Sequence, residues 1–106
     1  MRPESNLNEL TASVSYSDMK KVQVIVPWEE GLHMRPASRL VRCASVCRSS
    51  IRIMAHGKVA DARSILGILL LCASVGTLLD VEVSGEDEVS AMSAVEKIFE
   101  SSDDRV

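Results

Sequence analysis

The sequence predicts an α+β open-faced β-sandwich, a four-stranded antiparallel sheet with three helices on one face, in the order β-α-β-β-α-β-α. Three observations carry that prediction. Four short segments alternate polar residues with β-branched or aliphatic ones at a period of two. Between and after them lie segments whose apolar residues recur at helical spacing. The third is size: 106 residues make one small domain, and its only aromatics are Tyr16, Trp28 and Phe99, so the core must be aliphatic.

Each element has its own reason. Residues 1–18 show no usable periodicity and mix Pro3, Asn6 and Asn8 with several serines. They read as a disordered N-terminal extension, with the folded domain over residues 19–106. "KKVQVIV", Lys20 to Val26, is a half-buried strand with Val22, Val24 and Val26 on one face. Pro27 stops it, and Gly31 permits the turn before a helix. From Met34 to about Cys47 the period is helical. At 100° per residue, Ala37, Leu40, Val41, Ala44 and Cys47 share one face, and Arg35, Arg39 and Arg42 form a stripe opposite. Pro36 is tolerated only in a first turn, which places His33 at or beside the N-cap.

"SSIRIMA" is a second strand, His56 and Gly57 a hairpin turn, and "KVADA" a short third strand. "SILGILLLC", Ser64 to Cys72, reads as a short helix because Ser64 is a favoured N-cap. In "GTLLDVEVSG" Leu79, Val81 and Val83 alternate with Asp80, Glu82 and Ser84, giving the fourth strand. "EDEVSAMSAVEKIFES" is the last helix, its buried stripe expected to be Val89, Met92, Val95, Ile98 and Phe99. Glu86 to Glu88 suit its electropositive start.

Composition narrows function. At 46% apolar and 25% charged residues the chain is ordinary globular material. The longest near-apolar run, Ile65 to Val75, is about half of what a membrane span needs, and the N-terminus lacks a basic-then-apolar signal pattern. A cytoplasmic protein without a membrane partner is expected. Cys43, Cys47 and Cys72 are too few and wrongly spaced for a disulfide framework or a metal knuckle, so buried or half-buried free thiols and no metal are expected. Charge is uneven. Gly31 to Ser64 carries Arg35, Arg39, Arg42, Arg48, Arg52, Lys58 and Arg63 against Asp61 alone, whereas Asp80 to Asp104 is acidic. A basic half suits an acidic or phosphorylated partner. No aromatic residues interleave with these arginines to stack bases, so nucleic acid is not expected.

One segment carries chemistry. In "EEGLHMRPASR" a titratable, nucleophilic histidine stands where a helix is electropositive. The leading N–H groups of a helix have no intrahelical acceptor, and phosphate binds readily there. Neutral imidazole can attack phosphorus, and the same helix end can then hold the dianion it acquires. "GLHMRPASRLV" resembles the active-site segment of the HPr family, the histidine-containing phosphocarriers of the sugar phosphotransferase system, whose pattern is Gly-Leu/Ile-His-x-Arg-Pro-Ala. The likeness continues through "HGK", "RSILGILLL" and "GTLLDVEVSGEDE". It implies a carrier rather than an enzyme with its own turnover, needing no cofactor. His33 would take a phosphoryl group on Nδ1 from enzyme I and pass it to IIA domains, with Arg35 orienting the group. A monomer is expected, with Met34, Arg39, Ile65, Leu66 and Leu69 meeting the partners.

"ARSILG" resembles the regulatory serine segment of HPr proteins that serve as substrates of HPr kinase/phosphorylase, which implies phosphorylation of Ser64; a plain N-cap is the other reading, and both can hold together. A regulatory, nitrogen-type or adaptor branch of the family remains an alternative to sugar transport, because the downstream domain defines the branch. Glu29 and Glu30 crowd His33, where a solvated carboxylate should repel a phosphoryl group by on the order of 1 kcal/mol.

Overall fold

The computed structural model describes residues 19–100. The elements are β1 (Met19–Ile25), α1 (Met34–Val46), β2 (Ser50–Ala55), β3 (Lys58–Asp61), α2 (Ile65–Leu69), β4 (Leu78–Ser84) and α3 (Glu88–Glu100). The strands form one antiparallel sheet in the order β1-β4-β2-β3, so the first and last strands are neighbours. The expected architecture is present, and the N-terminal extension lies outside the described residues.

Alternation in the strands sorts the two faces of the sheet. Ile51, Ile53, Leu79, Val81 and Val83 point to the helices and are buried, with Val22 and Val24 packed beside them. On the open face a polar row runs across all four strands: Lys21 lies opposite Glu82, Glu82 opposite Arg52, and Arg52 opposite Asp61. Glu82 serves both cations, with Arg52 at 3.1 Å and Lys21 at 3.8 Å. Arg48 pairs with Glu86 at 3.0 Å. Part of the basic half is therefore matched by the acidic half within the molecule, which leaves α1 as its outward basic element. The hairpin at His56 and Gly57 has φ of 54° and 75°, the left-handed pair a tight two-residue turn requires.

The helices depart from expectation in three places. Val89 is 68% exposed, and Ala91 is buried in its stead. The cause is phase: Glu88 turns inward, its carboxylate accepting the Gly85 N–H at 3.4 Å, which rotates Val89 away from the stripe of Met92, Val95, Ile98 and Phe99. The second helix ends at Leu69 rather than Cys72. After it, Leu71 and Cys72 donate to the carbonyls of Ile68 and Leu69, and Cys72 takes φ 53° as the chain reverses. That reversal also exposes Cys72, contrary to the expected buried or half-buried thiol, while Cys43 and Cys47 are half-buried. Burial pushes the Cys43 thiol above its ordinary range, with Cys47 and Asp87 adding to the effect.

Between β1 and α1 the chain is tied down at close quarters. Trp28 is buried with its ring 5.2 Å from that of Phe99, and Leu32 is buried beside it. Gly31 N–H donates to the Trp28 carbonyl at 2.8 Å, and Leu32 N–H to the Ala73 carbonyl at 2.8 Å. At Gly31 φ is +78°, and a Cβ would stand 2.7 Å from the Ala73 oxygen. At the far end of α1, Asp87 caps α3 and receives the Arg48 N–H at 2.9 Å and the hydroxyl of buried Ser49. The Ser49 bond, then the Arg48 bond, hold the Asp87 carboxyl below its ordinary value.

Two outcomes follow from these ties. Gly31→Ala is expected to destabilise the domain by at least about 1–2 kcal/mol in urea unfolding, from the left-handed backbone alone. For Asp87 the folded value lies below the ordinary 3.8, so its contribution is complete above that pH and is lost as pH falls through the folded value. Wild type should have a higher urea midpoint than Asp87→Ala at neutral pH, and the gap should close below pH 3.8.

Candidate functional site

His33 is the N-cap of α1, with extended backbone at φ −94° and ψ −168°. Its carbonyl accepts the first helical bond, from Ala37 N–H at 3.0 Å, and its own N–H donates to the Gly31 carbonyl at 2.9 Å. The imidazole makes no capping hydrogen bond. Pro36 is buried in the first turn, as its missing N–H and fixed φ allow. That turn contains no acidic residue, so nothing within it offsets the positive end of the helix dipole.

The histidine side chain is 29% exposed. Its Nε2 lies 3.7 Å from Oε1 of Glu30, a charge contact longer than a hydrogen bond. Arg35 is exposed one residue beyond Met34, on the outer side of the first turn. A half-covered imidazole, a helix end that favours anions and a guanidinium nearby make a site suited to accepting and holding a phosphoryl group.

The other residues singled out by sequence fall around α1 and α2, which pack against each other. Met34 is exposed and Arg39 half-buried on α1. On α2 Leu66 is 64% exposed, while Ile65 and Leu69 are half-buried and lean on the core. Leu70, which sequence reading passed over, is exposed beside them, and its spacing of four from Leu66 is the signal that marks it. Ser64 caps α2: its exposed hydroxyl accepts the Gly67 N–H at 3.0 Å. The Leu32–Ala73 bond draws the chain leaving α2 against the residues just before His33. Among the described residues no His, Cys, Asp and Glu cluster is fit to hold a metal ion, and no helix is long and apolar enough to cross a membrane.

Comparison with known proteins agrees with this geometry. Residues 20–101 match the family model described as the HPr component phosphorylation site of the phosphotransferase system. The phosphocarrier protein HPr of Xylella fastidiosa strain 9a5c is 39% identical over 82 residues, covering 77% of this chain and 92% of that one. The crystal structure of a phosphocarrier protein HPr from Bacillus anthracis superposes with a TM-score of 0.72 at 31% identity, over 76% of this chain and 96% of that one. A second, from Thermoanaerobacter tengcongensis, gives 0.72's near equal at 0.73 and 34% identity, over 76% and 91% of the two chains. Matched in sequence and in fold across nearly all its described length, the chain belongs to the HPr family of phosphocarrier proteins.

Proposed function

We propose that His33 is the phosphoacceptor of this chain, charged by phosphorylated enzyme I and discharged to a IIA-type domain. The observation that supports this most directly is the imidazole standing at the N-cap of α1, making no capping bond, over a first turn free of carboxylates. On charging, the Nδ1 lone pair forms a bond to phosphorus as the donor's N–P bond breaks and its electron pair returns to the donor ring. The leading N–H groups of α1 and the Arg35 guanidinium then hold the phosphoryl oxygens. Discharge runs the same displacement toward the next acceptor. The protein is consumed and regenerated as a carrier, and the reading implies a cytoplasmic monomer that shuttles between partners.

Partner docking is assigned to the surface around α1 and α2. Met34 and Leu66 supply exposed apolar area, Leu70 extends it, and Ile65 and Leu69 lie half-covered beneath. Arg35 and Arg39 stand on the α1 side. An apolar centre with a basic margin fits an acidic partner with its own apolar centre. Ser64, exposed at the edge of this surface, is assigned to regulation by HPr kinase/phosphorylase. A dianion there sits favourably at a helix start and so leaves the fold intact, but it repels an acidic partner.

His33→Ala should fold with a urea midpoint close to wild type, because the lost side chain caps nothing, yet take up no label from enzyme I and phosphoenolpyruvate. Acid-labile label on that variant would reject the assignment. Incubation with HPr kinase/phosphorylase and ATP should add one phosphoryl mass to wild type and none to Ser64→Ala, a variant that also loses about 1 kcal/mol as its cap goes. Unmodified wild type in that assay would remove the regulatory role.

A further inference from the structure

We infer that Glu30 is a positioning residue for His33, its charge favouring the proton on Nε2 and so favouring Nδ1 for the phosphoryl group. The inference rests on the phosphocarrier reading of His33 and adds a residue which that reading does not require. Its geometric basis is the 3.7 Å approach of Glu30 Oε1 to Nε2. The backbone between the two is closely held. Gly31 N–H bonds to Trp28, His33 N–H to Gly31, and buried Leu32 to Ala73, so both side chains leave fixed points of one turn. The histidine side chain is 29% exposed and that of Glu30 79%, so the carboxylate stands largely in solvent.

Two physical effects then act on one ring. A neutral imidazole has one proton for two nitrogens, and at 3.7 Å, beyond hydrogen-bond distance, Glu30 biases its place through charge alone. A carboxylate facing Nε2 is an acceptor, so it favours the proton there and leaves the lone pair on Nδ1. The same carboxylate repels a phosphoryl dianion from the Nε2 side in either tautomer. The repulsion that the sequence suggests is real, but it falls on the nitrogen that is not used.

The transfer balances without moving a proton. Nδ1 donates its lone pair to phosphorus, the donor's N–P bond breaks with its pair returning to the donor ring, and Nε2 keeps its hydrogen. The phosphorylated ring is then a cation whose charge faces Glu30. In the onward step the N–P bond breaks, the pair returns to Nδ1, and the leaving group is a neutral imidazole rather than an anion. Glu30 thus favours the charged carrier while keeping it in the form that can release its cargo.

The test uses full-length wild type, Glu30→Ala and Glu30→Lys carrying nitrogen-15 histidine. Ring-nitrogen NMR of the neutral imidazole should show a larger share of the Nε2–H tautomer in wild type than in Glu30→Ala. With enzyme I at a fixed ratio of phosphoenolpyruvate to pyruvate, the ratio of phosphorylated to free carrier should fall about two- to fivefold in Glu30→Ala, the range for one exposed charge pair. It should fall further in Glu30→Lys. Unchanged tautomers together with an unchanged phosphorylation ratio in Glu30→Lys would overturn the role of Glu30 and leave the carrier reading standing. Wild type that takes up no phosphoryl group at all would overturn both.

Discussion

The close backbone approach between Gly31 and Ala73 is the constraint on which the site depends. Leu32 N–H reaches the Ala73 carbonyl at 2.8 Å only because residue 31 has no Cβ to strike the same oxygen. That contact joins the segment after α2 to the segment before α1. It drives Leu32 and Trp28 into the core, sets the direction in which α1 starts, and leaves His33 at the N-cap. The helix end would exist wherever α1 began; its coincidence with a nucleophile at the surface is what the approach secures. An anion-binding helix end is common, whereas one with an imidazole held beside it needs the chain tied down on both sides.

The sheet and the distant end of α1 complete the tie. The buried valines, leucines and isoleucines of β2 and β4 give the helices a flat aliphatic floor. Asp87, bonded to Ser49 and to the Arg48 N–H, links the start of β2 to the start of α3. The helix that carries His33 is thus fixed at its beginning by Ala73 and just beyond its end by Asp87. Charge pairing follows the same division of labour. Arg48 and Arg52 are matched to Glu86 and Glu82, away from the start of α1.

Most of this was legible in the sequence because it is local. Alternation marks all four strands, and Pro36 fixes the start of α1 to within a residue or two, which puts His33 at or beside the N-cap. What escaped depends on neighbours far along the chain. Val89 fits an apolar stripe by spacing, yet Glu88 folds back to the Gly85 N–H and takes the inward position. The apolar run Ser64 to Cys72 gives no sign that the chain must reverse after Leu69 to bring Ala73 to Leu32. Arg48 and Arg52 read as part of a basic half because their acidic partners lie more than two dozen residues away, as separations of 38 and 30 show. Glu30 was visible as a charge near the histidine, but which ring nitrogen it faces depends on the turn between them.

A carrier must hold its cargo well enough to collect it and loosely enough to lose it, and on the proposed reading of His33 and Glu30 opposing charges around one ring would serve both demands. The start of α1, whose first turn carries no carboxylate, would attract the phosphoryl group. Glu30 stands at the other nitrogen, attracting the ring's own positive charge once phosphorus is bound. If both charges acted on the phosphoryl group they would cancel, and the residue would only weaken the carrier. Because they act on different atoms of the same imidazole they reinforce each other. The backbone would then hold the dianion and the carboxylate would face the cation, leaving the bond between them polarised toward release.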